Sequence, residues 1–294
     1  MTADPFRLVI LSDTHLAAEG RMLYGLDPQA RLAAAIEVIE RDHRNASALL
    51  IAGDLTHWGE EDAYRALAAT LEGCSRPVIL MMGNHDRRAP FRAVFGDAHD
   101  DADGFVQGLH VWPQMSLITL DTLDEDGAVA THEGYLCPRR LGFLERMLAE
   151  APTDRPLVLA QHHPGAVLGL PAMDRIRLAS GAEELAVFER AGRRPDLILH
   201  GHVHRPVSGV WAGIPFHIQR ALSHQVHYDE ATADGIPGTH EPPDLAVLSV
   251  IGDTLAVHSR SFLYDGPVFS MAERAAIDAA SPEALPAGPL IPAS

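Results

Sequence analysis

The segment D-L-I-L-H-G-H-V-H-R-P, residues 196 to 206, carries three imidazoles within five positions at the end of a short apolar run. Four other apolar runs end in similar chemistry. Asp13-Thr14-His15 follows R-L-V-I-L-S, Gly53-Asp54 follows A-L-L-I-A, Gly83-Asn84-His85-Asp86 follows V-I-L-M-M, and His162-His163-Pro164 follows L-V-L-A-Q. Taken singly, each has an ordinary explanation: an Asp after a strand starts a turn or caps a helix, and a lone His is commonly a packed one. Five such clusters in order, at one topological place and without competing thiolates, point instead to a bound metal. Carboxylate, amide and imidazole donors without sulfur suit Zn²⁺, Mn²⁺ or Fe, whereas a structural zinc recruits cysteine.

Asp13, His15, Asp54, Asn84, His162, His202 and His204 are too many donors for one four- to six-coordinate ion. They suit two ions sharing a carboxylate, a centre about 3.5 to 4 Å across that clamps both oxygens of an in-line displacement at phosphorus. Asp13 and His15, like His202 and His204, are two positions apart, so in extended backbone each pair falls on one side of the chain. Two divalent ions against two carboxylates also leave the pocket locally positive, so an anionic phosphate can bind a chain of net charge −17.

These residues need a scaffold that brings strand ends together. The apolar runs, with S-L-I-T-L-D at 116 to 121 as a sixth, read as buried strands. Helical spacing over Pro28 to Arg44, Glu60 to Leu71, Pro138 to Glu150 and Ala182 to Ala191 separates them, and this alternation predicts βαβ units and a largely parallel sheet. Ligands in such sheets bind beyond the carboxyl ends of the strands, where the polar clusters lie. The last third changes character: G-V-W-A-G-I-P-F-H-I, L-A-V-L-S-V-I-G-D and T-L-A-V-H-S-R-S-F read as successive strands, the last two joined by a Gly-Asp hairpin turn, which predicts an antiparallel portion. Residues 229 to 244 are too long and polar for a plain turn and are a candidate cap or subunit-contact loop. The domain organisation expected is one catalytic domain over 1–265, then a C-terminal helix and Pro/Ala-rich tail over 266–294.

The same net charge argues against a surface built for a nucleic-acid polymer or anionic lipid, since both need clustered Lys and Arg. Only two cysteines occur, Cys74 and Cys137, outside any C-x-x-C pattern, which suits a reducing cytoplasm. No leader-like start and no apolar run of about 18 residues is present, so neither export nor a membrane span is expected.

D-x-H, G-D, G-N-H-D, H-x-P and G-H-x-H, in this order after strands over residues 13 to 204, resemble the motif set of the calcineurin-like metallophosphoesterase superfamily. The likeness is closest to bacterial glycerophosphodiesterases and class III cyclic nucleotide phosphodiesterases. The former extends through S-D-T-H-L-A-A-E-G-R-M-L-Y-G, H-H-P-G-A-V-L-G-L-P-A-M-D and S-H-Q-V-H-Y-D. The resemblance implies an α/β fold, a four-layer α/β/β/α sandwich with mixed sheets. It assigns Asp13, His15, Asp54 and His204 to a first metal, and Asn84, His162, His202 and the shared Asp54 to a second, as divalent or mixed-valence ions of Fe, Mn or Zn.

It also implies that Asn84 and His85 face the phosphate, that His85 helps the leaving group depart, that Asp86 orients His85, and that His224 is a substrate-side residue. His163 is then a neighbour pointing away from the metals, and His200 a buried residue behind them. His57 departs from the relatives, which carry Asn or Asp there, and is either an extra donor or a helix-entry or pocket-wall residue, with Trp58 beside it. The activity implied is hydrolysis of small phosphodiesters such as glycerophosphodiesters by a metal-bridging hydroxide. A 3′,5′-cyclic nucleotide phosphodiesterase, a phosphomonoesterase and a noncatalytic scaffold are the alternatives, and substrate choice is expected in 229–244 and around Phe262 to Phe269. The resemblance also allows a homo-oligomer. A metallo-β-lactamase type of centre would require an H-x-H-x-D-H run, which the chain lacks.

Overall fold

The computed structural model describes residues 6–264. The helix and tail expected over 266–294 lie outside them. The first apolar run becomes β1 (Phe6–Leu11), which pairs in parallel with β2 (Ala48–Ile51), itself parallel to β3 (Val78–Leu80). The expected hairpin, β12 (Asp244–Ile251) and β13 (Thr254–Ser261), turns at Gly252-Asp253 and completes this sheet by setting β12 antiparallel to β1. A second sheet takes the order β4 (Gly108–Val111), β5 (Ser116–Leu120), β6 (Leu157–Gln161), β7 (Leu197–His200), β9 (Ile214–Ile218), β8 (Val207–Trp211). It is parallel from β5 through β9 and antiparallel at both edges.

Strand alternation makes four layers from these two sheets. Leu8, Ile10 and Leu50 point to an inner core shared with Leu117, Val158 and Leu199 of the second sheet. Val9, Leu11 and Ile51 point outward against α1 (Pro28–Asp42), α2 (Glu61–Leu71) and α3 (Arg88–Phe95), meeting Leu32, Ile39, Leu67 and Phe91. Ile118, Leu159 and Ile198 face α4 (Pro138–Glu150) and α6 (Gly181–Ala191) through Phe143, Leu148 and Phe188. Because β1, β2, β5, β6 and β7 are covered on both faces, they read as unbroken apolar runs rather than alternating ones. The result is the α/β sandwich with mixed sheets that the resemblance implies.

Three details differ from the expectation. The run at 209–218 is two strands, because Ala212 and Gly213 both take positive φ (51° and 85°) and turn the chain into a hairpin of the kind that needs such residues. The short helices α3 and α5 (Pro171–Asp174) were not expected. Phe262 packs in the core beside α1 and β12 rather than in a cap, and the rest of 262–269 beyond residue 264 lies outside the described residues. Within 229–244, β11 (Gly238–Thr239) pairs antiparallel with β10 (Gln225–Val226), which folds this loop back toward the strand ends. Among the described residues no helix is long and apolar enough to cross a membrane.

Candidate metal centre

Just beyond the carboxyl ends of β1, β2 and β7, the side chains of Asp13, His15, Asp54 and His204 converge, all buried, with one donor atom from each within 4.8 Å of the others. His15 Nε2 lies 3.0 Å from His204 Nε2 and 3.5 Å from Asp54 Oδ2; His204 Nε2 lies 3.2 Å from Asp13 Oδ1. His162 joins from the end of β6, with Nε2 3.4 Å from Asp54 Oδ2 and 3.9 Å from Asp13 Oδ1. Asn84 and His202 complete the group, Asn84 Oδ1 lying 2.9 Å from His202 Nδ1. All seven donors expected from the sequence are therefore in one place.

Backbone geometry brings them there by a route other than the extended alternation expected. Asp13, His15, Asp54, His202 and His204 all have φ between 45° and 70°. The left-handed region costs a residue other than Gly about 1–3 kcal/mol, least for Asp, Asn and His. It persists because the turns are laced to one another. Asp13 N–H donates to Gly53 O (3.0 Å), His15 N–H to Asp54 O (2.9 Å), and the Ser223 hydroxyl to Asp13 O (3.0 Å). Three glycines are required by the crowding, among them Gly201, where a Cβ would sit 2.9 Å from both Ala52 O and Asp13 Oδ2. A Cβ on Gly83 would sit 2.2 Å from Asp54 Oδ1, and one on Gly53, which also has φ of 94°, would sit 2.4 Å from His162 Nδ1.

The proton positions fit cations. His162 Nδ1–H donates to Ala52 O (2.7 Å) and His204 Nδ1–H to His224 O (2.9 Å). A carbonyl can only accept, so each ring turns an Nε2 lone pair to the carboxylates, the arrangement by which backbone oxygens orient metal-binding histidines. The buried Nε2 atoms of His162 and His202 have no hydrogen-bond partner, a situation that calls for an ion or other ligand. The carboxylates attract positive charge to this point: burial works against charge on His162, but Asp54 and Asp13 outweigh it and raise the imidazole to about 9, so Nε2 takes up a proton where a cation would otherwise stand, while burial and the neighbouring imidazoles hold His15 well below its ordinary value. Burial pushes Asp54 up, yet His162, His85 and His15 hold it well below the usual carboxylate range.

Above this floor lies a cavity of about 440 Å³, lined by Asn84, His85, His57 and His224 among others. His85 N–H donates to Asp54 Oδ1 (2.9 Å), and its Nδ1–H to His57 O (2.8 Å). The expectation that Asp86 orients His85 is corrected: the buried Asp86 carboxylate accepts from Gly83 N, Leu55 N, Thr56 N and Tyr64 Oη at 2.9–3.0 Å, bracing the two turns rather than the imidazole. Burial and repulsion from Asp54 raise it to about 6. His224 stands in the cavity wall between His204 and Tyr24, each ring centroid 4.6 Å away, and burial lowers it to about 2.

His163 does not point away. It is buried 4.5 Å, ring to ring, from His202, with Nδ1 2.7 Å from the Thr122 hydroxyl. His200 is buried on β7 with Nδ1 3.1 Å from Gln161 O, outside the cavity lining. Trp58 is exposed beneath the Arg21 guanidinium and packs edge-on against His57.

Sequence reasoning did not find His132, which accepts from Asn84 Nδ2–H (2.9 Å) and stacks on His85. It lies in a polar loop with no pattern to single it out. The apolar side of the cavity is Met173, Ile176, Val226 and Ile236. Ile236 lies in the 229–244 segment expected to set substrate choice, and Met173 and Val226 lie in the motif segments quoted above, but nothing in the sequence singles out any of the four as a residue.

A family profile described as calcineurin-like phosphoesterase matches residues 6–206. A protein of Rhodopseudomonas palustris named "Probable cyclic nucleotide phosphodiesterase" is 52% identical over 271 residues, 92% of this chain and 98% of its own length. One of Arcobacter nitrofigilis named "Probable glycerophosphodiester phosphodiesterase GpdQ" is 26% identical over 240 residues, 81% of this chain and 86% of its own. The crystal structure of a dimetal phosphatase from Danio rerio superposes with a TM-score of 0.64 at 14% identity, covering 88% of this chain and 98% of that one, which shows a shared fold.

Proposed function

The chain belongs to the calcineurin-like metallophosphoesterases and is a phosphodiesterase, and from that premise we propose that it hydrolyses a 3′,5′-cyclic nucleotide at a two-metal centre. The observation that carries the centre is the convergence of the Nε2 atoms of His15, His162 and His204 on two buried carboxylates. Asp13, His15, Asp54 and His204 would hold one ion; Asn84, His162 and His202, with Asp54 shared, the other. Bound there, such ions neutralise phosphoryl charge and lower the pKa of water from 15.7 toward about 7. Donor chemistry admits Fe, Mn or Zn.

The chain's own residues position and protonate. His85 commits Nδ1–H to the His57 carbonyl, which leaves Nε2 to hold a proton for the departing alkoxide, a role worth about 10²- to 10⁴-fold. Asn84 and His224 border the space above the floor, where the phosphate would sit. Met173, Ile176, Val226 and Ile236 give that space an apolar side suited to a nucleobase, and residues 236–240 act as its cap. The 52% identity over nearly the full chain favours cyclic nucleotides. Glycerophosphodiesters, the first expectation from sequence, are the second reading, supported by the Arcobacter relative. Cys74 and Cys137, both free thiols, support a reducing compartment such as the cytoplasm.

The test is kcat/KM for 3′,5′-cyclic AMP, a glycerophosphodiester and a simple monoester, measured side by side on protein reloaded with Mn²⁺ or Zn²⁺. Cyclic AMP turned over at least tenfold better than the other two supports the reading. A glycerophosphodiester preference moves the assignment to the second, and preference for the monoester removes both.

A further inference from the structure

His57 is placed to control two other histidines at once. Its Nδ1 lies 3.0 Å from Nδ1 of His15, and its backbone oxygen lies 2.8 Å from Nδ1 of His85. Its ring stacks on His85 (4.8 Å between centroids, 20° between planes) and meets Trp58 edge-on at 4.4 Å. Nothing on its other side competes for Nδ1 among the hydrogen bonds of the described residues.

The tautomers follow from the partners. His15 Nε2 faces Asp54 and His204, so when that atom offers its lone pair to a cation, the ring's one proton sits on Nδ1. The atom that can accept that proton is Nδ1 of His57, which then carries its own proton on Nε2. We infer that His57 is a positioning residue, not a metal ligand: its imidazole accepts from His15 Nδ1–H and so fixes His15 as an Nε2 donor, while its carbonyl fixes His85. A hydrogen-bond acceptor behind a metal-binding imidazole raises its basicity and sets its orientation, and losing one typically weakens metal binding 10- to 100-fold. On this reading His57 is not an extra donor: although donor atoms of His15, His57 and His85 lie within 4.8 Å of one another, the His57 Nδ1 is turned to the Nδ1 of His15, on the side of that ring away from the carboxylates.

The inference rests on the metal reading above, and zinc binding tests it without any substrate. The measurements are Zn²⁺ per chain and Zn²⁺ affinity by chelator competition, on wild type, His57→Ala and His57→Asn, with far-UV circular dichroism to confirm folding. Asn Oδ1 stands close to where His Nδ1 stood and can only accept, and both variants keep the carbonyl that holds His85. We expect two ions per chain throughout, affinity lowered 10- to 100-fold in His57→Ala, and recovery to within about threefold of wild type in His57→Asn. Imidazole ¹H–¹⁵N correlation spectra of zinc-loaded wild type supply a readout that needs no variant: His57 should be protonated at Nε2 and bare at Nδ1.

Wild-type affinity in His57→Ala, one fewer ion in both variants, or a proton on His57 Nδ1 would each overturn the inference while leaving the two-metal centre standing. Wild-type protein that binds no zinc would overturn both.

Discussion

Asp13, Asp54, His162 and His202 lie buried at strand ends, held by strained turns, interlaced backbone bonds and glycines that cannot be enlarged. Tyr24, His132, Ile236 and His240 face the same cavity from exposed loops with few ties beneath them. The floor is over-determined and the wall is not. Positive φ occurs in both regions, at Tyr24 and His132 as at Asp13 and His204, but the floor turns are buried and laced to one another by hydrogen bonds, so the floor is suited to fixed chemistry. A wall built from loops can change its residues without disturbing the sheets, which is where substrate choice belongs.

The largest effect should follow from removing the residue both halves of the floor share. Asp54→Ala is expected to lower diesterase turnover by roughly 10³-fold or more and to leave fewer than two ions per chain, as read by metal analysis and kinetics. Retained activity would break the division between floor and wall. Next, His85→Ala should keep its metals yet lose about 10²- to 10⁴-fold in kcat on a diester with a poor leaving group, and much less on bis(p-nitrophenyl) phosphate, whose leaving group needs no proton. Equal losses on both substrates would deny His85 its role. Gly83→Ala forces a Cβ against Asp54 Oδ1 and should cost about 1–3 kcal/mol in unfolding free energy as well as metal affinity.

At the wall, Ile236→Ala should raise KM for the natural diester by about 2- to 10-fold with kcat and metal content unchanged. A fall in kcat there would mean that the wall takes part in the chemistry.

A last variant probes what lies under the floor. Glu184, buried on α6, accepts from Gln161 Nε2 (3.2 Å), and burial raises its carboxyl from 4.5 to about 8. Between those values the folded chain holds a proton that the unfolded chain releases, so this group's contribution to stability is full below about pH 4.5 and is lost as pH rises toward 8. Glu184→Gln should remove that slope in denaturant titrations run from pH 5 to 8, with turnover little changed. An unaltered slope would show that Glu184 is not held protonated.

The contrast between the two regions also explains what could be read from the residues. The strand runs and the helices at 28, 61, 138 and 181 were legible because both-face burial writes apolar runs and one-face burial writes helical spacing. The floor was legible because each polar cluster directly follows such a run. What failed was local geometry and long-range pairing. Asp13 and His15 tolerate positive φ without requiring it, so nothing in D-T-H announces the turn. Asp86 takes its partners from Leu55, Thr56 and Tyr64, and His163 faces His202 rather than away; both outcomes depend on how distant loops meet. His132 and Ile236 sit in polar or irregular stretches whose contact with the site is set by the fold as a whole.

The most direct test is metal content per chain measured together with 3′,5′-cyclic AMP turnover, on wild type and Asn84→Ala, before chelation, after it, and after Mn²⁺, Fe²⁺ or Zn²⁺ is restored. We predict two ions per wild-type chain, activity abolished by chelation and recovered with metal, and weakened second-ion binding with lowered turnover in Asn84→Ala. One ion or none, or hydrolysis that survives chelation, would contradict the two-metal account.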